Sequence, residues 1–198
     1  VIAAEPRTSA AIPAAYALAR LSPPDVREEQ ERSLVLAHPS AAASRTVVRR
    51  LVDAWIERGE LERARAFTAQ LERVARGTPL EQSAAGAHAR VLEALGDDAG
   101  ALALLLATAR AHPHPRGALT DDALLRASEI EERLGHTDLA IAHLREMLAR
   151  REAPLVGGSY ERPLFAAARY RIAVLLRDRV GDAASARAEF HRVAADHA

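Results

Sequence analysis

Apolar residues recur along most of this chain at three- and four-residue steps, the spacing that gathers them on one face of a helix. From Arg45 the pattern is clear. Val47, Val48, Leu51, Val52, Trp55 and Ile56 make one stripe, and Gly59 stops it where a left-handed residue is expected. A second helix follows with Leu61, Ala64, Phe67, Leu71 and Val74 inward, ending near Gly77. Thr78-Pro79-Leu80-Glu81 predicts a new start, with Thr as N-cap, Pro at the first helical position and Glu at the third; this helix runs to Leu95 and Gly96. Asp97 and Asp98 open the next, which ends at His112-Pro113-His114-Pro115. Thr120, with Asp121 and Asp122, caps a further helix that Gly135 ends, and Leu139, Ile141, Leu144, Met147 and Leu148 mark its successor. Residues 152–163 read as a loop around Gly157-Gly158, followed by a last pair of helices on either side of Gly181. No stretch sustains the alternation of a strand. Upstream, Ser22-Pro23-Pro24-Asp25 looks like a helix start with Val26, Leu34 and Leu36 available for packing, whereas residues 1–12 read as a poorly ordered arm. The expected division is an irregular N-terminal segment with one or two short helices over residues 1–39, then a helical array over 40–198.

The array is repetitive. Aligning Gly59, Gly96, Gly135 and Gly181 gives spacings of 37, 39 and 46. Five residues after each glycine stand Ala64, Ala101, Ala140 and Ala186, small side chains where two helices of a hairpin approach closely. Nine residues after stand Thr68, Leu105, Leu144 and Phe190, and twelve after stand Leu71, Thr108, Met147 and Val193. The last unit carries one extra residue before its glycine.

This arrangement resembles the tetratricopeptide repeat, a helix–turn–helix unit stacked into a superhelix. The resemblance covers roughly residues 45–198, and its best stretch is Gly181-Asp182 through Ala186, Phe190 and Val193, with Pro113 matching the family's closing proline. The spacings exceed the family's, Thr68 replaces an aromatic, and the first-helix glycine is replaced by Val52, Ala89 and Ser128. The Asp121-Asp122-Ala123-Leu124 opening is similar to divergent bacterial envelope relatives, so a periplasmic or envelope setting is slightly favoured over the cytoplasm. The implied fold is all-α: a right-handed superhelical array of about four antiparallel helical hairpins. In such arrays the first helix of each unit lines a concave groove. By position that implies Arg49 and Asp53, then Arg90, then Asp122, Glu129 and Glu132, and last Tyr170 and Arg177, as residues gripping a peptide.

Composition agrees with helix and removes several chemistries. The chain of 198 residues holds 46 Ala, 25 Leu and 27 Arg, and it has neither Lys nor Cys. Schiff-base and phosphate-loop lysines, thiolate nucleophiles, thiolate metal sites and disulfides are therefore excluded. Net charge is +0. A nucleic-acid binder normally shows a basic excess, so binding through the arginines is the lesser alternative, and no nucleic-acid partner is expected. No uncharged run is long enough to cross a bilayer.

Eight histidines offer no metal spacing: His112 and His114 diverge, and His136 and His143 lie two turns apart on one helix face. Glu28-Glu29 and Glu131-Glu132 read as solvated faces, because adjacent helix residues do not face each other. Gly157-Gly158-Ser159-Tyr160 lacks the strand and lysine of a catalytic or phosphate-binding turn. Arg162, Arg169, Arg171, Arg177 and Arg179 form an arginine-rich last hairpin, suited to a solvated face or to an acidic partner or lipid headgroups.

The reading is a non-enzymatic protein-interaction scaffold without cofactor or metal, binding an unidentified protein or peptide through the groove and through the 152–163 loop, with Leu155 and Tyr160 as anchors. The alternative is a regulatory or structural repeat region of a larger enzyme or envelope assembly. The face bearing Phe190 and Val193 is expected to be sticky, through end-to-end self-association, further repeats or a docked helix. Because the chain opens at Val1 and its one Met is Met147, the sequence is expected to be a fragment or an obligate oligomer.

Overall fold

Alanine, leucine and arginine lose little side-chain freedom in a helix, and the chain is helical accordingly. A computed structural model describes residues 10–113, 117, 119–149 and 163–196. Its helices are α1 (Ala11–Ala19), α2 (Pro24–Ala37), α3 (Ser44–Glu57), α4 (Leu61–Ala75), α5 (Glu81–Ala94), α6 (Asp98–Ala111), α7 (Thr120–Arg133), α8 (Thr137–Ala149), α9 (Pro163–Leu175), a π turn (Leu176–Val180) and α10 (Ala183–Asp196). No strand occurs among the described residues. Nor is any described helix long and apolar enough to cross a membrane. The chain divides into two compact units, Val1–Leu104 and Leu105–Ala198.

In the first unit α2, α3, α4 and α5 pack around Val48, Leu51, Val52, Trp55, Phe67 and Leu71. Trp55 is fully buried and meets Phe67 edge to face at 5.3 Å. The α1 helix, whose first two residues fall in the 1–12 stretch expected to be an arm, joins this core through Tyr16. The Tyr16 hydroxyl donates to Ser44 Oγ at 3.0 Å, and Ser44 in turn donates to the His38 carbonyl at 2.9 Å, tying α1 to the start of α3. In the second unit α7 packs on α8, α8 on α9 and α9 on α10, burying Leu124, Ile130, Leu144, Met147, Ile172 and Leu175.

The repeat columns are packing positions. Ala64, Ala101, Ala140 and Ala186 are all buried, as are Val52, Ala89 and Ser128, the three residues that replace the first-helix glycine. Thr68 satisfies its hydroxyl inside the helix by donating to the Ala64 carbonyl at 2.9 Å, so it fits an apolar position without a partner from elsewhere. Phe190 and Val193, expected to stand open, are each half-buried.

Each hairpin turns by the same device. Glu60, Asp97 and His136 donate their backbone N–H to the carbonyls of Trp55, Leu92 and Glu131 at 2.8, 2.9 and 2.8 Å, closing over a glycine in the left-handed region. In the last hairpin Asp182 reaches Leu176, one residue further back, at 2.9 Å. The extra residue seen in the sequence is absorbed by widening the helix end into the π turn.

Two start signals act differently from expectation. Helix α5 begins at Glu81, not at Pro79, because residues 78–81 form a tighter turn in which Glu81 N–H bonds the Thr78 carbonyl at 3.1 Å. The Glu81 carboxylate accepts from Gly77 N–H at 3.0 Å. Thr120 does not cap α7 through an accepted bond; its hydroxyl points back to the carbonyls of His112 and Gly117. Gly117 is obligatory there, since a Cβ would collide with the His112 carbonyl oxygen.

Candidate functional site

Asp53, Arg90 and Glu129 each stand six residues before their glycine, so the repeat places them alike on first helices. Within the first unit Arg90 on α5 forms an ion pair with Asp53 on α3. Within the second, Arg171 on α9 reaches Glu132 Oε2 through Nε at 3.0 Å and Nη2 at 2.7 Å, and lies 3.6 Å from Glu129. In each unit an acid on one first helix thus holds an arginine on the next. These pairs are 28–39 % exposed, so water and a ligand both reach them.

Arg49 on α3 and Asp122 on α7 are exposed, and neither has an ion pair among the described residues. Tyr170 and Arg177 converge elsewhere. Tyr170 meets the Phe190 ring at 5.6 Å, Arg177 lies 5.8 Å over the same ring, and Arg177 also grips Asp178. That pairing holds the Arg177 guanidinium above and the Asp178 carboxyl below its ordinary range. Leu155 and Tyr160, with the rest of the loop up to residue 162, lie outside the described residues, as do Arg162 and His114.

Two of the carboxylates read as solvated are not. Glu28 is mostly buried against the first unit, accepting from Trp55 Nε1 and Arg58 Nη2, both at 2.9 Å. Burial alone would raise its carboxyl; the two donors, with the charges of Arg58 and Arg63, outweigh that and hold it below the usual carboxylate range. Arg63 also caps the Trp55 ring at 4.7 Å. Glu131 is buried too, its carboxylate 2.7 Å from His136 Nδ1 and 3.9 Å from His143 Nε2. Two histidines separated by two turns are brought to one acid because α7 and α8 fold back on each other. Likewise His88 on α5 meets Glu72 on α4 at 2.6 Å. These are braces between helices, and no group of three or more metal-ligating side chains with the right disposition occurs among the described residues.

Sequence reasoning did not single out Arg171 as the residue that joins Glu129 to Glu132. Its only signal was membership of the arginine-rich last hairpin. Glu31 was also missed: it is 1 % exposed and held between Arg27, at 3.2 Å, and Arg50.

No protein-family model matches the chain, and no curated protein matches it in sequence. Solved structures do match. A crystal structure of nearly identical TPR-like repeats, from a Podosopora anserina protein described as a putative kinesin light chain, superposes with a TM-score of 0.59 at 16 % identity, covering 96 % of both chains. A single-substitution variant of those repeats gives 0.59 at 17 % identity over 93 % of both. At such identity the likeness is one of fold, and that fold is the tetratricopeptide-like helical repeat.

Proposed function

We propose that this chain, a tetratricopeptide-like helical-repeat protein, is an interaction scaffold that binds another polypeptide along its first helices. The observation that carries the reading is the half-exposed acid–arginine pairing between consecutive first helices, Asp53 with Arg90 and Glu129 and Glu132 with Arg171. Such pairs are individually weak, about 1 kcal/mol or less, so a peptide that offers its own carboxylate or guanidinium exchanges for one partner at little cost. Arg49 and Asp122 on the same helices supply charges that have no ion pair among the described residues. Tyr170 and Arg177, gathered around Phe190 in the second unit, and Leu155 and Tyr160 of the 152–163 loop are proposed as further contacts for the partner.

A photo-crosslinking residue placed at Arg49 or at Asp122, in the cells that make the protein, should trap a partner polypeptide. The same residue at Glu62, which is 77 % exposed on the second helix α4, should not. Equal trapping from all three positions, or none from the first two, refutes the assignment of the surface.

A further inference from the structure

Most arginines described above are matched by acids of their own unit: Arg27 and Arg50 by Glu31, Arg58 by Glu28 and Glu60, Arg90 by Asp53, Arg171 by Glu132. The outer side of α10 departs from this. Ala183, Ala186 and Phe190 floor a shallow depression there, rimmed by Arg177, Arg187 and His191, with no carboxylate among the lining residues. Arg187 and His191 are exposed, and neither side chain has an ion pair or hydrogen bond among the described residues. Arg177 gives two of its five N–H groups to Asp178 and keeps the others.

The positions 183, 187, 190, 191 and 194 follow one another at helical steps, so they form one stripe along α10. Alanines on the stripe let a second backbone approach closely, and Phe190 is braced from below by Tyr170. A helix lying in that groove would bury its apolar residues on Phe190 and Ala183. Its flanking side chains would meet the Arg187 guanidinium and the His191 imidazole, which have no acid already in place, and the N–H groups of Arg177 that Asp178 leaves over. A basic helix would be repelled there, and a neutral one would leave Arg187 and His191 dehydrated and unpaired.

We infer that the outer face of α10 receives an amphipathic helix of a partner protein whose apolar stripe is flanked by carboxylates. The surface belongs to a second helix and is separate from the first-helix surface proposed above, Arg177 and Tyr170 apart, so either proposal stands if the other fails. Arg187 supplies the main contact, as a planar fork that holds a carboxylate through two parallel bonds. Arg177 and His191 fix the register on either side of Phe190.

The test uses the full chain and a fluorescein-labelled, side-chain-stapled helical peptide with leucines on one face and glutamates beside them, followed by anisotropy at low salt. Saturable binding is expected, weakened at least tenfold by Arg187→Glu and at least threefold by Ala183→Glu, with melting unchanged because both sites are exposed. Arg145→Glu, an exposed charge on α8, should leave binding as it was. The matching lysine peptide should not bind. No saturation, equal binding of the lysine peptide, or equal weakening by Arg145→Glu overturns the inference. So does a concentration-dependent dimer that Arg187→Glu abolishes while the acidic peptide fails to compete, because the occupant is then a second copy of this chain.

Discussion

Deleting Arg179 should leave the second unit folded, although a deletion inside a helical turn normally does not. Between Leu176 and Gly181 there are four residues, whereas Glu131 and Gly135, at the same repeat positions, enclose three. One residue rotates a helix by about 100°. The π turn absorbs that rotation, so removing Arg179 lets Asp182 N–H close five residues back, as Glu60, Asp97 and His136 already do. The register of α9 and α10 then survives, and the stability change should stay within about 1 kcal/mol, the range of surface changes. Deleting Arg133 is the matched control. It removes a residue that the α7–α8 turn cannot spare and swings α8 away from a core in which Ile141, Leu144 and Met147 are at most 4 % exposed. At about 1.5–3 kcal/mol for each such side chain, the loss approaches the whole stability of a typical domain. Urea unfolding followed by circular dichroism at 222 nm measures both deletions. Equal losses from the two would show that the extra residue is structurally required and that the turn geometry is misread.

Four further outcomes are expected. Gly135→Ala should destabilise by about 1–2 kcal/mol, since its φ of 81° suits only glycine. Gly86→Ala, inside α5 with nothing within 4 Å of the added carbon, should stabilise by about 0.5–1 kcal/mol; thermal melts with the same sign for both would contradict the argument. Because the Glu28 carboxyl is lowered in the folded state, its stabilising contribution is present above the unfolded carboxylate pKa and is lost as pH falls through the folded one. The advantage of the native chain over Glu28→Gln should therefore be full at pH 7 and shrink below about pH 4.5, and a pH-independent gap would refute it. Glu131→Ala should cost about 1–3 kcal/mol by removing a buried side chain and the hydrogen-bond partner of His136, and a urea titration showing a loss near zero would refute it.

The helices and their turns were legible in the sequence because both depend on neighbours a few residues apart. Apolar steps of three and four mark a buried face, and a glycine at the end of each first helix marks the left-handed turn. The extra residue before Gly181 was visible for the same reason, and only its conversion into a π turn depended on the folded hairpin. The alanine column was legible too, since close packing demands a small side chain wherever the hairpin repeats. One or two short helices were expected before residue 40, but α1 could not be placed among them, because its short segment buries only Tyr16 and Ala19 and shows no sustained period. Charge was the larger omission. Whether an exposed-looking Glu is solvated, as Glu29 largely is, or buried, as Glu31 and Glu131 are, depends on what another helix brings within about 4 Å. Arg171 meets Glu132 across 39 residues, and Trp55 meets Glu28 across 27. Periodicity assigns a face to each residue, but it cannot say which residue of a distant helix stands opposite. That pairing is set by hairpin packing, so only the tertiary structure decided it.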